Sequence, residues 1–178
     1  MRLLGAILAG GRSRRFGSDK AAAAVDGVAM LDRVARVLAI ECEAVVVIGR
    51  DWPGLARVED RPRPGLGPLG GLAGALAYAR DHGFDAVLSS ACDVPALPPG
   101  LAALLGPADA LLADQPTIGL WRAAQADALL DWMAANERHA IRAWADHARA
   151  RRVDYAAIAN INTLEELAAY QAGLPPSL

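Results

Sequence analysis

Short apolar runs, each too brief for a stable isolated helix, alternate along this chain with longer stretches of helical periodicity, and few folds accommodate that alternation. Residues 3–8 (LLGAIL), 44–48 (AVVVI) and 86–89 (AVLS) read as strands, the second dense in β-branched valine and isoleucine. Between them, residues 30–40 place Met30, Val34, Val37 and Leu38 on one helical face and leave Asp32, Arg33 and Arg36 for solvent. Residues 69–80 repeat the device with Leu69, Leu72, Ala73, Leu76 and Ala77, after GLGP has supplied a turn and a proline suited to the first helical position. Apolar strands joined by amphipathic crossovers predict an α/β domain whose sheet is mainly parallel and covered on both faces.

Further along, residues 109–113 and 117–121 flank DQP, which predicts a tight hairpin or a switch between strands. A helical region is expected from Trp121 to about His147, broken near Asn136. The last helix begins at NTLEEL, where Asn162 is the expected cap and Glu165 returns the bond three positions later. No repeat, linker or charge block divides the 178 residues, so the reading is one domain over residues 1–178.

Composition matters here for what it excludes. A formal net charge of −2 gives no global positive field to draw the chain onto nucleic acid or an anionic membrane, so any basic function must be local. Cys42 and Cys92 belong to no CxxC or Cys/His cluster and read as buried reduced thiols. No apolar run approaches the ~20 residues of a membrane span. MRLLGAILAGG imitates a signal peptide, but RSRR follows at once, and a cytoplasmic location is expected. His82, His139 and His147 show no ligand spacing, and no serine sits in a GxSxG elbow.

One segment does carry local charge. ILAGGRSRRFGSDK runs from the end of the first strand into Gly10 and Gly11, then through Arg12, Arg14, Arg15 and Lys20. Open α/β sheets bind ligands at the carboxyl ends of their strands, where free N–H groups form a nest for an anion and glycine permits close approach. Arginine forks and a lysine point charge suit a polyphosphate guest. The segment matches neither GxxxxGK[ST] nor GxGxxG; the plainer alternative is a surface loop with incidental arginines.

Two carboxylates invite similar questions. In SACDVPALPP, Asp93 falls just past the third strand at the same edge, where a hard oxygen suits Mg2+; a turn aspartate before proline is the structural alternative. In RVEDRPRPGLGPLGG, the Asp60 carboxylate has the chemistry to accept from a nucleobase or ribose hydroxyls or to organise the arginines beside it, and the residues alone do not choose among these. The glycines that follow either face a ligand or allow a tight turn and close helix packing. Trp52, Trp121, Trp132 and Trp144 are scattered, as core or rim residues would be.

LAGGRSRRFGSDK resembles the signature of the molybdenum cofactor guanylyltransferases, and VED, GPLGGL, ACDVPALP, PTIGLW and NINTLEEL follow in that family's order and approximate spacing. The resemblance implies a Rossmann-like three-layer α/β sandwich with a mainly parallel, mixed sheet, of the nucleotide-diphospho-sugar transferase type. It also implies Mg2+-dependent transfer of GMP from GTP to the phosphate of molybdopterin, with release of pyrophosphate, and delivery of the product to molybdoenzymes or their chaperones. Carried over residue by residue, Leu8, Ala9, Gly10, Gly11, Arg12, Lys20, Asp60 and Asp93 become nucleotide-binding candidates. Lys20, Arg15 and Asp93 become catalytic candidates, Asp93 also the metal ligand, and Asn160 and Asn162 lie toward the pterin. Asn162 has capping to explain it and Asn160 has no such local job. Arg138 and Arg142, four apart on a predicted helix, either grip the substrate phosphate or form a solvated face.

The chain departs from the family pattern in two places. Ile48 and Gly49 stand where the family often has a polar residue, frequently asparagine, near the nucleoside, and the region before Pro116 is short. The alternatives are therefore a cytidylyltransferase for the same pterin, a sugar- or polyol-phosphate nucleotidyltransferase, and a non-catalytic nucleotide-binding adaptor.

Overall fold

A computed structural model describes residues 1–10, 19–156 and 158–173. Among these residues the chain forms β1 (Leu3–Leu8), β2 (Ala24–Val25), β3 (Val28–Ala29), α1 (Met30–Glu41), β4 (Ala44–Ile48), β5 (Ala56–Val58), α2 (Gly67–Asp81) and β6 (Ala86–Ala91). Then come α3 (Leu101–Leu105), β7 (Ala110–Leu112), β8 (Gly119–Arg122), α4 (Ala126–Ala135), α5 (Ile141–His147), β9 (Arg151–Val153) and α6 (Leu164–Gln171). A seven-stranded sheet has the order β5-β4-β1-β6-β8-β7-β9, and β2 with β3 makes a separate small ribbon.

β1 lies at the centre, parallel to β4 on one side and β6 on the other, with Ile7 opposite Val47 and Ser90. β8 runs antiparallel to both β6 and β7, and β9 is parallel to β7, so the sheet is mixed but mostly parallel. Strand periodicity divides β1 between two cores. Leu4, Ala6 and Leu8 face the side covered by α2, α4 and α5; Leu3 and Ile7 face the side covered by α1 and α3. This is the three-layer arrangement expected from the alternation of apolar runs.

Some boundaries differ from the sequence reading. Trp121 does not open a helix: it is a fully buried residue of β8, packed in the core with Leu129 and Trp144. The helical region begins only at Ala126, after a 3-10 turn over Ala123–Gln125, and residues 136–140 separate α4 from α5. A large aromatic satisfies either period, and cross-strand pairing with Val87 settled which one. β9, an Arg-Arg-Val segment, carries no apolar signal and was not anticipated.

The cap of α6 is Thr163, not Asn162. Its Oγ1 accepts from the Glu166 N–H at 3.1 Å, while the Glu166 carboxylate accepts from the Asn162 backbone N–H. The capping box is present one residue later than expected, and it leaves the Asn162 side chain free for other contacts.

Candidate functional site

The parallel strands β1, β4 and β6 end together, at Leu8, Ile48 and Ala91, so the segments that follow them share one edge of the sheet. Leu8 and Ala9 are buried, and the Ala9 N–H donates to the Ile48 carbonyl at 3.2 Å. Gly10 emerges to solvent. A Cβ built on Gly49, whose φ is +80°, would lie 2.7 Å from the Gly10 Cα. Only glycine tolerates that combination of angle and approach.

Asp60 completes this corner. Its Oδ1 lies 3.5 Å from where a Cβ on Gly10 would be and 3.7 Å from one on Gly71, and its Oδ2 accepts from the Gly65 N–H at 3.3 Å. A Cβ on Gly74 would stand 2.1 Å from the Glu59 carbonyl oxygen, so α2 packs directly on the backbone that presents Asp60. The glycines of GPLGGLAG thus have a packing explanation of their own. Burial raises the Asp60 carboxyl above its ordinary value, with Glu59 adding to the shift and the Gly65 N–H opposing it.

A second cluster gathers Lys20, Asp93 and Asn162. Lys20 lies in a 3-10 turn, Lys20–Ala22, and is itself buried, with its side chain 10 % exposed. Its Nζ donates to Asp93 Oδ2 at 2.7 Å and to Asn162 Oδ1 at 2.9 Å. The Ile161 N–H donates to the Asp93 carbonyl at 3.0 Å, which ties the NIN segment to the loop after β6. Two buried acceptors, Asp93 Oδ1 and Asn160 Oδ1, have no hydrogen-bond partner among the described residues. Such atoms are costly to leave unmet, and each is an oxygen able to accept from a donor or to bind a cation. The expectation that capping occupies Asn162 is corrected: Thr163 caps, and Asn162 shares Lys20 with Asp93.

Sequence reasoning passed over Arg50. Its guanidinium donates to both carboxylate oxygens of Asp19, from Nη1 at 2.7 Å and from Nη2, and stacks 5.3 Å from the centre of the Trp52 ring. This fork holds the Asp19 carboxyl below its ordinary value. The available signal was position alone: Arg50 follows the end of β4, at the same edge as the glycine segment. Cys92 lies beside Lys20 and Arg50, yet its thiol is pushed up to about 11, chiefly by burial.

Arg138 and Arg142 lie elsewhere, lining a cavity of about 430 Å³ with Pro68, Pro116, Thr117 and Ile141. They do not share a helix. Arg138 falls in the irregular segment between α4 and α5, and Arg142 in the first turn of α5. Among the described residues neither makes an ion pair, whereas Asp146 on the same wall is paired with Arg152. The cavity opens by the start of α2 and the segment before β8, whose Thr117 carbonyl accepts from Ser89 of β6. Gly11, Arg12, Arg14 and Arg15 lie outside the described residues. No group of three or more His, Cys, Asp or Glu side chains converges among the described residues, nor is any helix there long and apolar enough to cross a membrane.

A mostly parallel sheet with a glycine corner, a facing carboxylate and a buried lysine–aspartate pair at its carboxyl edge defines an α/β domain of the kind that binds ligands at the carboxyl ends of its strands. Residues 5–171 match the model of the MobA-like NTP transferase domain. The molybdenum cofactor guanylyltransferase of Rhodobacter capsulatus is 38% identical, over 94% of each chain, and that of Sinorhizobium fredii 33%, over 90% of this chain and 87% of the relative. Among solved structures, molybdopterin-guanine dinucleotide biosynthesis protein A from Archaeoglobus fulgidus superposes with a TM-score of 0.72 at 20% identity, covering 95% of this chain and 97% of that one. A CMP:2-keto-3-deoxy-manno-octonic acid synthetase complexed with CTP gives 0.66 at 15% identity, covering 96% of each chain. The chain belongs to the MobA-like NTP transferase family.

Proposed function

We propose that this protein transfers GMP from GTP to the phosphate of molybdopterin, forming molybdopterin guanine dinucleotide and releasing pyrophosphate. The observation that carries the reading is the buried Lys20–Asp93–Asn162 cluster at the sheet edge, in a chain 38% identical to a molybdenum cofactor guanylyltransferase.

The reaction asks little covalent chemistry of the protein. An acceptor phosphate oxygen attacks the α-phosphorus of GTP as the bond from that phosphorus to the bridging oxygen breaks, and pyrophosphate leaves with the electron pair. The acceptor is already anionic, so no general base is needed. What the protein must supply is alignment and positive charge. In this reading the backbone at Gly10 and Gly11, with Arg12, Arg15 and Lys20, holds the β and γ phosphates, Leu8 and Ala9 line the nucleotide, and Asp60 accepts from the nucleoside. Asn160 and Asn162 lie on the pterin side, and Arg138 and Arg142 receive the anionic acceptor in their cavity.

The residues fit a hard divalent cation such as Mg2+. Asp93 offers a buried, unpartnered carboxylate oxygen, and a single protein carboxylate supplemented by phosphate and water is a common Mg2+ environment. When bound there, the ion would neutralise phosphate charge at the reacting centre.

The test offers each nucleoside triphosphate, with Mg2+ and molybdopterin, and weighs the product. A GMP adduct with stoichiometric pyrophosphate is expected. Ile48 is fully buried and places no polar side chain where the family often has asparagine, so the base is the part most exposed to refutation. A CMP adduct formed in preference would overturn the choice of guanine, and nucleotide binding without pyrophosphate release would overturn catalysis.

A further inference from the structure

The lysine cluster is held in place from outside itself. Lys20 begins its 3-10 turn immediately after Asp19, whose Oδ1 accepts from the Ala21 N–H at 3.2 Å and whose carbonyl accepts from the Ala22 N–H at 3.1 Å. Asp19 is therefore both cap and first hinge of the turn that aims Lys20 at Asp93. A short turn capped by one carboxylate is a weak mount for a buried ammonium, since 3-10 geometry is poor and the turn carries few hydrogen bonds.

Arg50 supplies the missing rigidity. Its fork takes both oxygens of Asp19, which fixes the carboxylate's plane as well as its position. The arginine is anchored in turn: its guanidinium stacks on Trp52, and Trp52 Nε1 donates at 2.7 Å to Asp32 in the first turn of α1. Arg50 also directly follows Gly49, which presses on Gly10, and the Gly49 N–H donates to the Val58 carbonyl at 2.9 Å. One turn at the end of β4 thus touches Gly10 and Asp19, the described residues on either side of segment 11–18.

We infer that Arg50 is a positioning residue for phosphate binding: through Asp19 it fixes the turn that presents Lys20 to the polyphosphate of the bound nucleotide. This rests on the reading that Lys20 and the glycine corner hold the β and γ phosphates. Arg50 acts through Asp19 and does not itself contact the ligand.

The test measures affinities of GTP and GMP, each with Mg2+, by titration calorimetry. In the wild-type protein GTP binds more tightly than GMP. Arg50→Ala weakens GTP by roughly 10- to 100-fold, the usual worth of a charge-assisted bidentate contact, and leaves GMP within about twofold. Arg50→Lys keeps the charge but loses the fork, and recovers only part of the GTP affinity. Asp19→Ala produces a similar loss, and the double variant is no weaker than either single one, because each acts through the other.

Unchanged GTP affinity in folded Arg50→Ala overturns the inference. So does an equal loss of GTP and GMP, which marks a merely structural residue, or a full further loss on adding Arg50→Ala to Asp19→Ala, which marks direct phosphate contact. Failure of the wild-type protein to prefer GTP over GMP would instead sink the phosphate role assigned to the Lys20 turn. Thermal unfolding of each variant separates loss of fold from loss of site.

Discussion

Gly49→Ala, compared with Gly54→Ala, tests the corner on which the nucleotide reading rests. Both glycines sit in the left-handed region, with φ of 80° and 78°, and both follow β4 within a few residues. An alanine there costs about 1–2 kcal/mol in backbone strain, partly offset by the lost freedom of the unfolded chain, and these terms are common to the pair. The surroundings differ. Nothing lies within 4 Å of a Cβ on Gly54, whereas one on Gly49 meets the Gly10 Cα at 2.7 Å and the Gly10 nitrogen at 3.3 Å. Those atoms are backbone and cannot rotate away, so Gly49→Ala adds an overpacking term of about 1–3 kcal/mol. For a chain of this size each kcal/mol lowers Tm by about 2–4 °C, so Gly49→Ala should melt roughly 2–12 °C below Gly54→Ala. The same displacement moves Gly10, so GTP affinity should fall in Gly49→Ala and hold in Gly54→Ala. Calorimetric unfolding and nucleotide titration read the two effects separately. Equal melting temperatures would refute the close approach, and wild-type affinity in Gly49→Ala would remove Gly10 from the nucleotide site.

Lys20→Ala and Asp93→Ala should each lower turnover by about 10²–10³ while the far-UV spectrum stays native; near-wild-type turnover in either would remove the assignment. Because burial raises the Asp60 carboxyl, the folded protein binds that proton more tightly than the unfolded chain does. Its contribution to stability is fully present below the unfolded pKa and lost as pH rises through the folded one, so Asp60→Asn should stabilise the ligand-free protein at neutral pH. Nucleotide affinity should run the other way, falling as acid neutralises Asp60, and Asp60→Asn should flatten that limb; an unchanged pH profile would show that the carboxylate is not a nucleotide ligand. Burial pushes the Cys42 thiol up to about 12 and Cys92 up to about 11, so both should resist iodoacetamide at pH 8 in the native protein and alkylate once unfolded, as read by intact mass. Rapid native labelling of Cys92 would mean that the loop after β6 opens.

The layer order was legible because it depends on local periodicity. β1, β4, α1 and α2 appear within one or two residues of their expected bounds, since each buries an apolar face whose spacing is written in a single segment. Trp121 was misread because a buried tryptophan fits strand and helix alike until its neighbours are known. β9 was invisible for the opposite reason: Arg151–Val153 joins the sheet through backbone pairing with β7, which leaves no mark in side-chain chemistry.

Site residues divide along the same line. Lys20 and Asp93 could be nominated from sequence, since charged groups in the segments that follow parallel strands lie at the carboxyl edge of the sheet, and Asp60 could be nominated by its match to the family pattern. Their partners could not. That Lys20 reaches Asp93 across 73 positions and Asn162 across 142, that Thr163 releases Asn162 by taking over the cap, and that Arg50 grips Asp19 are facts of packing. Periodicity and local chemistry act over a few residues and so can be read along the chain. Which charges meet in a buried cluster depends on how strands far apart in sequence are ordered in the sheet, and here that order, with β1 between β4 and β6, brings three separate loops to one edge.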